Sequence, residues 1–197
     1  MAGYNLRNLK VQIVEKHAHM RHVMRDVLRE LGVTRILEAA GPDAGFETFL
    51  ETAPDLILSD WSPSLDGIRL LHMVRRHEDS PDPYVPFIVI SAHTGLNDIL
   101  TARDAGMTEF LAKPISPKLI YSRIRSVIEK SRIFVRTRNF FGPDRRRRKI
   151  ALKDHDRRNH SNMNGPERRQ GQFSFQGYER RQGYSGYIPV ENRMGGR

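Results

Sequence analysis

A chain of 197 residues, 38% of them hydrophobic, has room for one domain and an appendage. It contains no cysteine, which excludes disulfides, thiolate metal sites and cysteine nucleophiles. The formal charge of +10 is unevenly placed: residues 1–135 carry 17 basic and 17 acidic side chains, whereas residues 136–197 carry 16 and 6. No apolar run reaches the roughly 20 residues of a membrane span. Residues 1–10 hold no apolar stretch of signal-peptide length, so a cytoplasmic location is expected.

Along residues 10–135, short apolar runs alternate with stretches of helical spacing. Val11–Val14 reads as a first buried strand. Met20, Val23, Met24, Val27, Leu28 and Leu31 then recur at the spacing of one helix face, and Gly32 is placed to stop that helix. Further strands are predicted at Arg35–Ala39, Leu56–Ser59, Phe87–Ile90 and Glu109–Leu111. Ile68, Leu71, Met73 and Val74 mark another helix before the fourth strand, and Leu119, Ile120, Ile124, Val127 and Ile128 mark the last one. Five strands alternating with five helices predict an α/β doubly wound parallel sheet covered on both faces, over residues 8–134. Such sheets place their chemistry in the crevice at the carboxyl ends of the strands.

Four chemistry-bearing side chains fall there. Glu15 follows the first strand, Asp60 ends the third, Ser91 ends the fourth and Lys113 ends the fifth. A carboxylate, a hydroxyl and an ammonium converging at one point make a site for a phosphoryl group: Asp60 as acceptor, Ser91 and Lys113 on the phosphoryl oxygens. A strand-end aspartate taken alone serves equally well as a helix cap; the three together do not. The segments Leu58-Ser59-Asp60-Trp61, Ser91-Ala92 and Leu111-Ala112-Lys113-Pro114 resemble the CheY-like response-regulator receiver family over residues 10–130. That resemblance implies a flavodoxin-like fold, a signalling module rather than an enzyme, phosphorylation of Asp60 by a histidine kinase, and a magnesium ion on Glu15 and Asp60. It also implies a protein target on the face of the fourth helix, fifth strand and fifth helix, roughly residues 94–130.

Two departures weaken the metal expectation. Receivers carry two acids after the first strand, and here the pair reads Glu15-Lys16. An ammonium in place of a carboxylate removes an oxygen ligand and repels a dication. The loop from Asp60 to Gly67 is also one residue shorter than the family's usual one. Weak magnesium affinity and slow phosphorylation follow.

After residue 135 the periodic pattern ends. Gly142-Pro143-Asp144-Arg145-Arg146-Arg147-Arg148, Gly165-Pro166-Glu167-Arg168-Arg169 and Gly177-Tyr178-Glu179-Arg180-Arg181 repeat the form Gly-(Pro/Tyr)-acid-Arg-Arg, with Phe173, Phe175, Tyr184 and Tyr187 interleaved. Residues 135–197 lack the apolar content of a core and are expected to be disordered until a ligand binds. Paired arginines and an acid suit guanine with phosphates: arginine forks onto the O6/N7 edge or a phosphate, and a carboxylate accepts from N1–H and N2–H₂. A receiver followed by Phe140 to Arg148 is similar to the Cle group of CheY-like proteins. That likeness implies cyclic di-GMP as ligand and the flagellar motor switch as target. It places ligand contacts on Arg145, Arg146, Arg147 and Arg148, and further on Asp154, Asp156, Arg157, Arg158, Arg168 and Arg169, while the repeat itself adds Asp144 and Glu167 as the acids on the guanine edge. Basic residues with interleaved aromatics also describe single-strand nucleic-acid binders, the competing reading.

Overall fold

The computed structural model describes residues 4–62, 67–130 and 132–146, together with the backbone of residues 170–171. Strands β1 (Lys10–Val14), β2 (Arg35–Ala39), β3 (Leu56–Asp60), β4 (Phe87–Ser91) and β5 (Glu109–Ala112) form one sheet in the order β2-β1-β3-β4-β5. Every pairing in it is parallel. Helices α1 (Ala18–Glu30), α2 (Pro42–Thr52), α3 (Gly67–Arg76), α4 (Leu96–Asp104) and α5 (Pro117–Glu129) alternate with the strands. The five-stranded doubly wound fold is as the sequence predicts.

The strands read as nearly continuous apolar runs because both faces are covered. Residues of one parity, such as Ile13, Leu58, Ile88, Ile90 and Leu111, pack with Met24, Leu28, Ile120 and Ile124 of α1 and α5. Those of the other, such as Ile57, Phe87 and Val89, pack with Phe46, Phe49, Leu70, Leu71 and Val74 of α2 and α3. Local signals set the helix ends. Gly32 takes φ +86° after α1, and Ser116 Oγ accepts from the backbone N–H of Leu119 (3.3 Å) to cap α5, with Pro117 in its first turn. The packed unit begins before residue 8: Leu6 and Leu9 are buried in the α1–α5 core.

The C-terminal boundary differs from the sequence expectation. Residues 135–146 are not a structureless start of the tail. Strand β6 (Phe134–Arg136) pairs antiparallel with β7 (Phe141–Pro143), and β8 (Gln170–Gly171) pairs with the other edge of β6. The reason is aromatic. Phe134, Phe140 and Phe141 are all buried, and Tyr84 meets Phe134 and Phe141 edge-on at 5.4 and 5.1 Å between ring centroids. Each buried phenylalanine contributes roughly 1.5–3 kcal/mol, which holds a strand pair that could not stand alone. Beneath them lies the fully buried Arg75. Its Nε donates to the Gly106 carbonyl (3.1 Å), its Nη1 to Pro83 and Val85 (2.9 and 2.8 Å), and its guanidinium sits 5.2 Å from the Phe134 ring centroid. Burial pulls its pKa down to about 9, so it stays charged at neutral pH.

Candidate functional site

The parallel sheet delivers the four strand-end residues to one crevice. Trp61 N–H donates to the Ile90 carbonyl and Lys113 N–H to the Ser91 carbonyl, both at 2.8 Å, which aligns the ends of β3, β4 and β5. Lys113 then reaches back across the sheet: its Nζ lies 2.6 Å from Asp60 Oδ1 and 3.2 Å from Glu15 Oε2. The Ser91 hydroxyl is fully buried and accepts from the backbone N–H of His93 (2.9 Å), which orients it at the end of β4.

Sequence reasoning missed two members of this site. Glu15 Oε1 accepts from both the backbone N–H and the ring Nδ1 of His17, each at 2.8 Å. Arg21 Nη1 donates to the carbonyls of Glu15 and Lys16 (2.8 and 3.0 Å), pinning the turn between β1 and α1. The available signal was the spacing: an acidic side chain accepting from a backbone N–H two residues on is ordinary turn chemistry. As sequence alone, His17, His19 and His22 carry equal weight. The Lys16 side chain is exposed beside the buried Glu15.

These contacts divide the charge between the two carboxyls. Burial pushes Glu15 up, but its hydrogen bonds from His17 and Lys113 outweigh that and hold it below the usual carboxylate range. Asp60 is pushed up: burial leads, the neighbouring Glu15 charge adds to it, and the Lys113 ammonium only partly offsets both. Burial would lower Lys113, yet its hydrogen bonds and charge attraction to Asp60 and Glu15 raise it. An isolated ion pair would lower the acid as it raised the base. Here burial outweighs the ammonium at Asp60, and the neighbouring Glu15 charge adds to the upward push.

Of the arginine-stretch residues, the structure places three. Asp144 N–H donates to the Ile133 carbonyl (2.7 Å), and Asp144 Oδ1 accepts from the Arg146 N–H (3.0 Å). Arg145 stacks its guanidinium 4.1 Å from the Phe140 ring centroid and pairs with Asp104 Oδ1 (3.3 Å) at the end of α4. Arg147, Arg148, Asp154, Asp156, Arg157, Arg158, Glu167, Arg168 and Arg169 lie outside the described residues, as does the loop at residues 63–66. The Asp60 crevice and the Arg145 contact are separate places: the first is at the carboxyl ends of the strands, the second at the loop that enters β5.

A parallel sheet in this order, with an aspartate, a hydroxyl and a lysine at successive strand ends, defines a receiver. The model of the response regulator receiver domain matches residues 11–125, and the chain belongs to that family. It is 27% identical over 123 residues to the chemotaxis protein CheY of Pseudomonas aeruginosa, covering 62% of this chain and 98% of that one. It is 27% identical over 122 residues to CheY1 of Helicobacter pylori, covering 61% and 97%. The fold matches that of Vibrio cholerae CheY4 with a TM-score of 0.54 at 20% identity, over 60% of this chain and 98% of that one. A putative response regulator from Chloroflexus aurantiacus matches with the same TM-score at 23% identity, over 60% and 96%. The protein is therefore a CheY-like receiver-domain signalling protein with a basic C-terminal extension.

Receivers imply a divalent cation beside the strand-end aspartate. The residues here do not fit one well. A magnesium ion demands near-octahedral oxygen ligation, and among the described residues no group of three or more His, Cys, Asp or Glu could hold a metal. Both Glu15 oxygens are engaged, one by His17 and the other by Lys113, and Lys16 stands where a further acid would contribute.

Proposed function

We propose that this protein is a cyclic di-GMP effector. The arginine-rich stretch binds the dinucleotide, and the receiver transmits the event by contact with a protein target, the flagellar motor switch. The observation that carries the reading is the repeated acid beside paired arginines, in which Asp144 is already oriented by its own turn and Arg145 is held on a flat ring. Stacking of a guanidinium on an aromatic face is the arrangement in which it would also stack on a purine. Exposed Leu96 and Leu119 on α4 and α5, 71% and 41% accessible, support a protein target on that face. Calorimetry of the full chain against cyclic di-GMP, GMP and an RNA oligomer tests the reading. Saturable binding of cyclic di-GMP alone is expected; preference for the RNA oligomer would replace it with the nucleic-acid reading.

A second reading concerns Asp60, and the 2.6 Å contact with Lys113 favours it. The Asp60 carboxylate attacks the phosphorus of a phosphorylated histidine kinase. The bond from phosphorus to the imidazole breaks, the ring nitrogen leaves with its electron pair, and an acyl phosphate forms. Lys113 and Ser91 would meet the phosphoryl oxygens. In this protein the step would be slow, because Lys16 and the engaged Glu15 deprive it of metal assistance.

A further inference from the structure

We propose that α4 is the element through which occupancy of the arginine stretch is read, and that the ligand acts by taking Arg145 away from Asp104. The inference rests on the nucleotide reading above and adds its route of transmission.

Helix α4 is loosely held. It has 9 residues, Ala102 is its one buried residue, and its N-cap Gly95 offers no side-chain hydrogen bond. Leu96 at its start is 71% exposed. Along its flank an open groove of about 510 Å³ separates it from α3, lined by Ile68, His72, Asn97 and Leu100. A short helix with little buried surface and space beside it sits at the low-stability end of a fold, where a small bias moves populations.

The C-terminal extension grips the other end of this helix. Gly106, two residues past α4, lies under β7 so closely that a Cβ there would stand 2.5 Å from the Phe141 carbonyl oxygen. From that fixed strand Arg145 extends to Asp104, the last residue of α4, with its guanidinium flat against Phe140. A cation there also suits the negative end of the helix dipole. The contact is built to break cheaply. Asp104 Oδ1 is also 2.8 Å from Arg103, so losing Arg145 does not leave the carboxylate without a cation. The Arg145 and Asp104 side chains are 41% and 45% exposed, so the pair is weak and within reach of a solvent-borne anion. A ligand phosphate offers Arg145 a charge-assisted fork in place of one carboxylate oxygen. Asp104 thus occupies the arginine until the dinucleotide arrives, and loss of that contact frees the C-terminal end of α4. By linkage, a target protein that prefers the freed helix tightens the ligand by the factor with which the ligand tightens the target.

The test uses the full chain in three forms: wild type, Asp104→Asn, and Glu51→Gln as a charge-matched change on α2. Calorimetry with cyclic di-GMP should show Asp104→Asn binding about two- to fivefold tighter than wild type, the size of an exposed ion pair, and Glu51→Gln binding like wild type. In amide NMR spectra, saturating wild type with ligand should move the Leu96–Ala105 signals toward their positions in ligand-free Asp104→Asn. Equal affinities for all three forms, or α4 signals that do not move toward the variant's, overturn the proposal while leaving ligand binding intact. No binding by the wild type overturns the nucleotide reading and the proposal that rests on it.

Discussion

Two glycines separate the docking of the C-terminal extension from ordinary backbone effects. Gly32 and Gly106 both have positive φ, +86° and +101°, but nothing lies within 4 Å of a Cβ built on Gly32, whereas one on Gly106 meets the Phe141 carbonyl oxygen at 2.5 Å. Replacing either by alanine costs roughly 1–2 kcal/mol for the left-handed backbone conformation. Gly106→Ala adds a collision with backbone that cannot rotate away, and overpacking of this kind costs about 1–3 kcal/mol more. Urea unfolding should therefore show Gly106→Ala less stable than Gly32→Ala by about 1–3 kcal/mol. The chain's alternative is to lift β7 off the loop, which would break the β6–β7 pairing and free the backbone around Arg136 and Arg138, whose side chains are already exposed. Limited trypsin digestion should cut there faster in Gly106→Ala and at the wild-type rate in Gly32→Ala. Equal stability losses with equal cleavage rates would mean that β6 and β7 do not rest on Gly106, and the account of the extension as part of the folded unit would fall.

Three further outcomes follow from the crevice and the tail. Asp60 titrates higher folded than unfolded, so the folded state holds its proton more tightly and stability falls as pH rises from the ordinary aspartate range through the folded value. Asp60→Asn removes that loss: its urea midpoint should exceed the wild type's at pH 7, with the advantage gone below about pH 3.9, where wild-type Asp60 is protonated in both states. A destabilised Asp60→Asn at pH 7 would contradict the charge assignment. Lys16→Asp should restore an oxygen ligand, raising magnesium affinity and the rate of Asp60 labelling by acetyl phosphate; a wild type that already binds magnesium tightly and labels rapidly removes the role given to Lys16. Asp144→Asn keeps an oxygen for the Arg146 N–H turn while deleting the charge. Together with Glu167→Gln it should weaken cyclic di-GMP by about ten- to a hundredfold per guanine-reading carboxylate, and cyclic di-AMP should bind the wild type poorly. Unchanged affinity in Asp144→Asn identifies a turn-capping role alone, since asparagine caps as well as aspartate. Tighter binding by the double variant points to simple charge attraction.

The amino-acid sequence by itself determined the doubly wound sheet and the roster of its crevice. Apolar runs such as Leu56–Leu58 and Phe87–Ile90 can be buried only between two helical layers, and parallel topology then carries Glu15, Asp60, Ser91 and Lys113 to one edge. The charge contrast between the two parts of the chain was equally legible, because it depends on composition alone. Only tertiary structure decided that His17 and Lys113 together hold Glu15 below the usual carboxylate range, while burial, with the Glu15 charge beside it, pushes Asp60 upward. It also decided where the fold ends. Phe134, Phe140 and Phe141 have neither helical nor strand periodicity over so few residues, and their burial depends on Tyr84, Arg75 and Gly106, which lie 28 to 66 residues earlier. Periodicity reports what a segment does with its own neighbours; a short aromatic strand that borrows its core from the far side of the chain leaves no period to read.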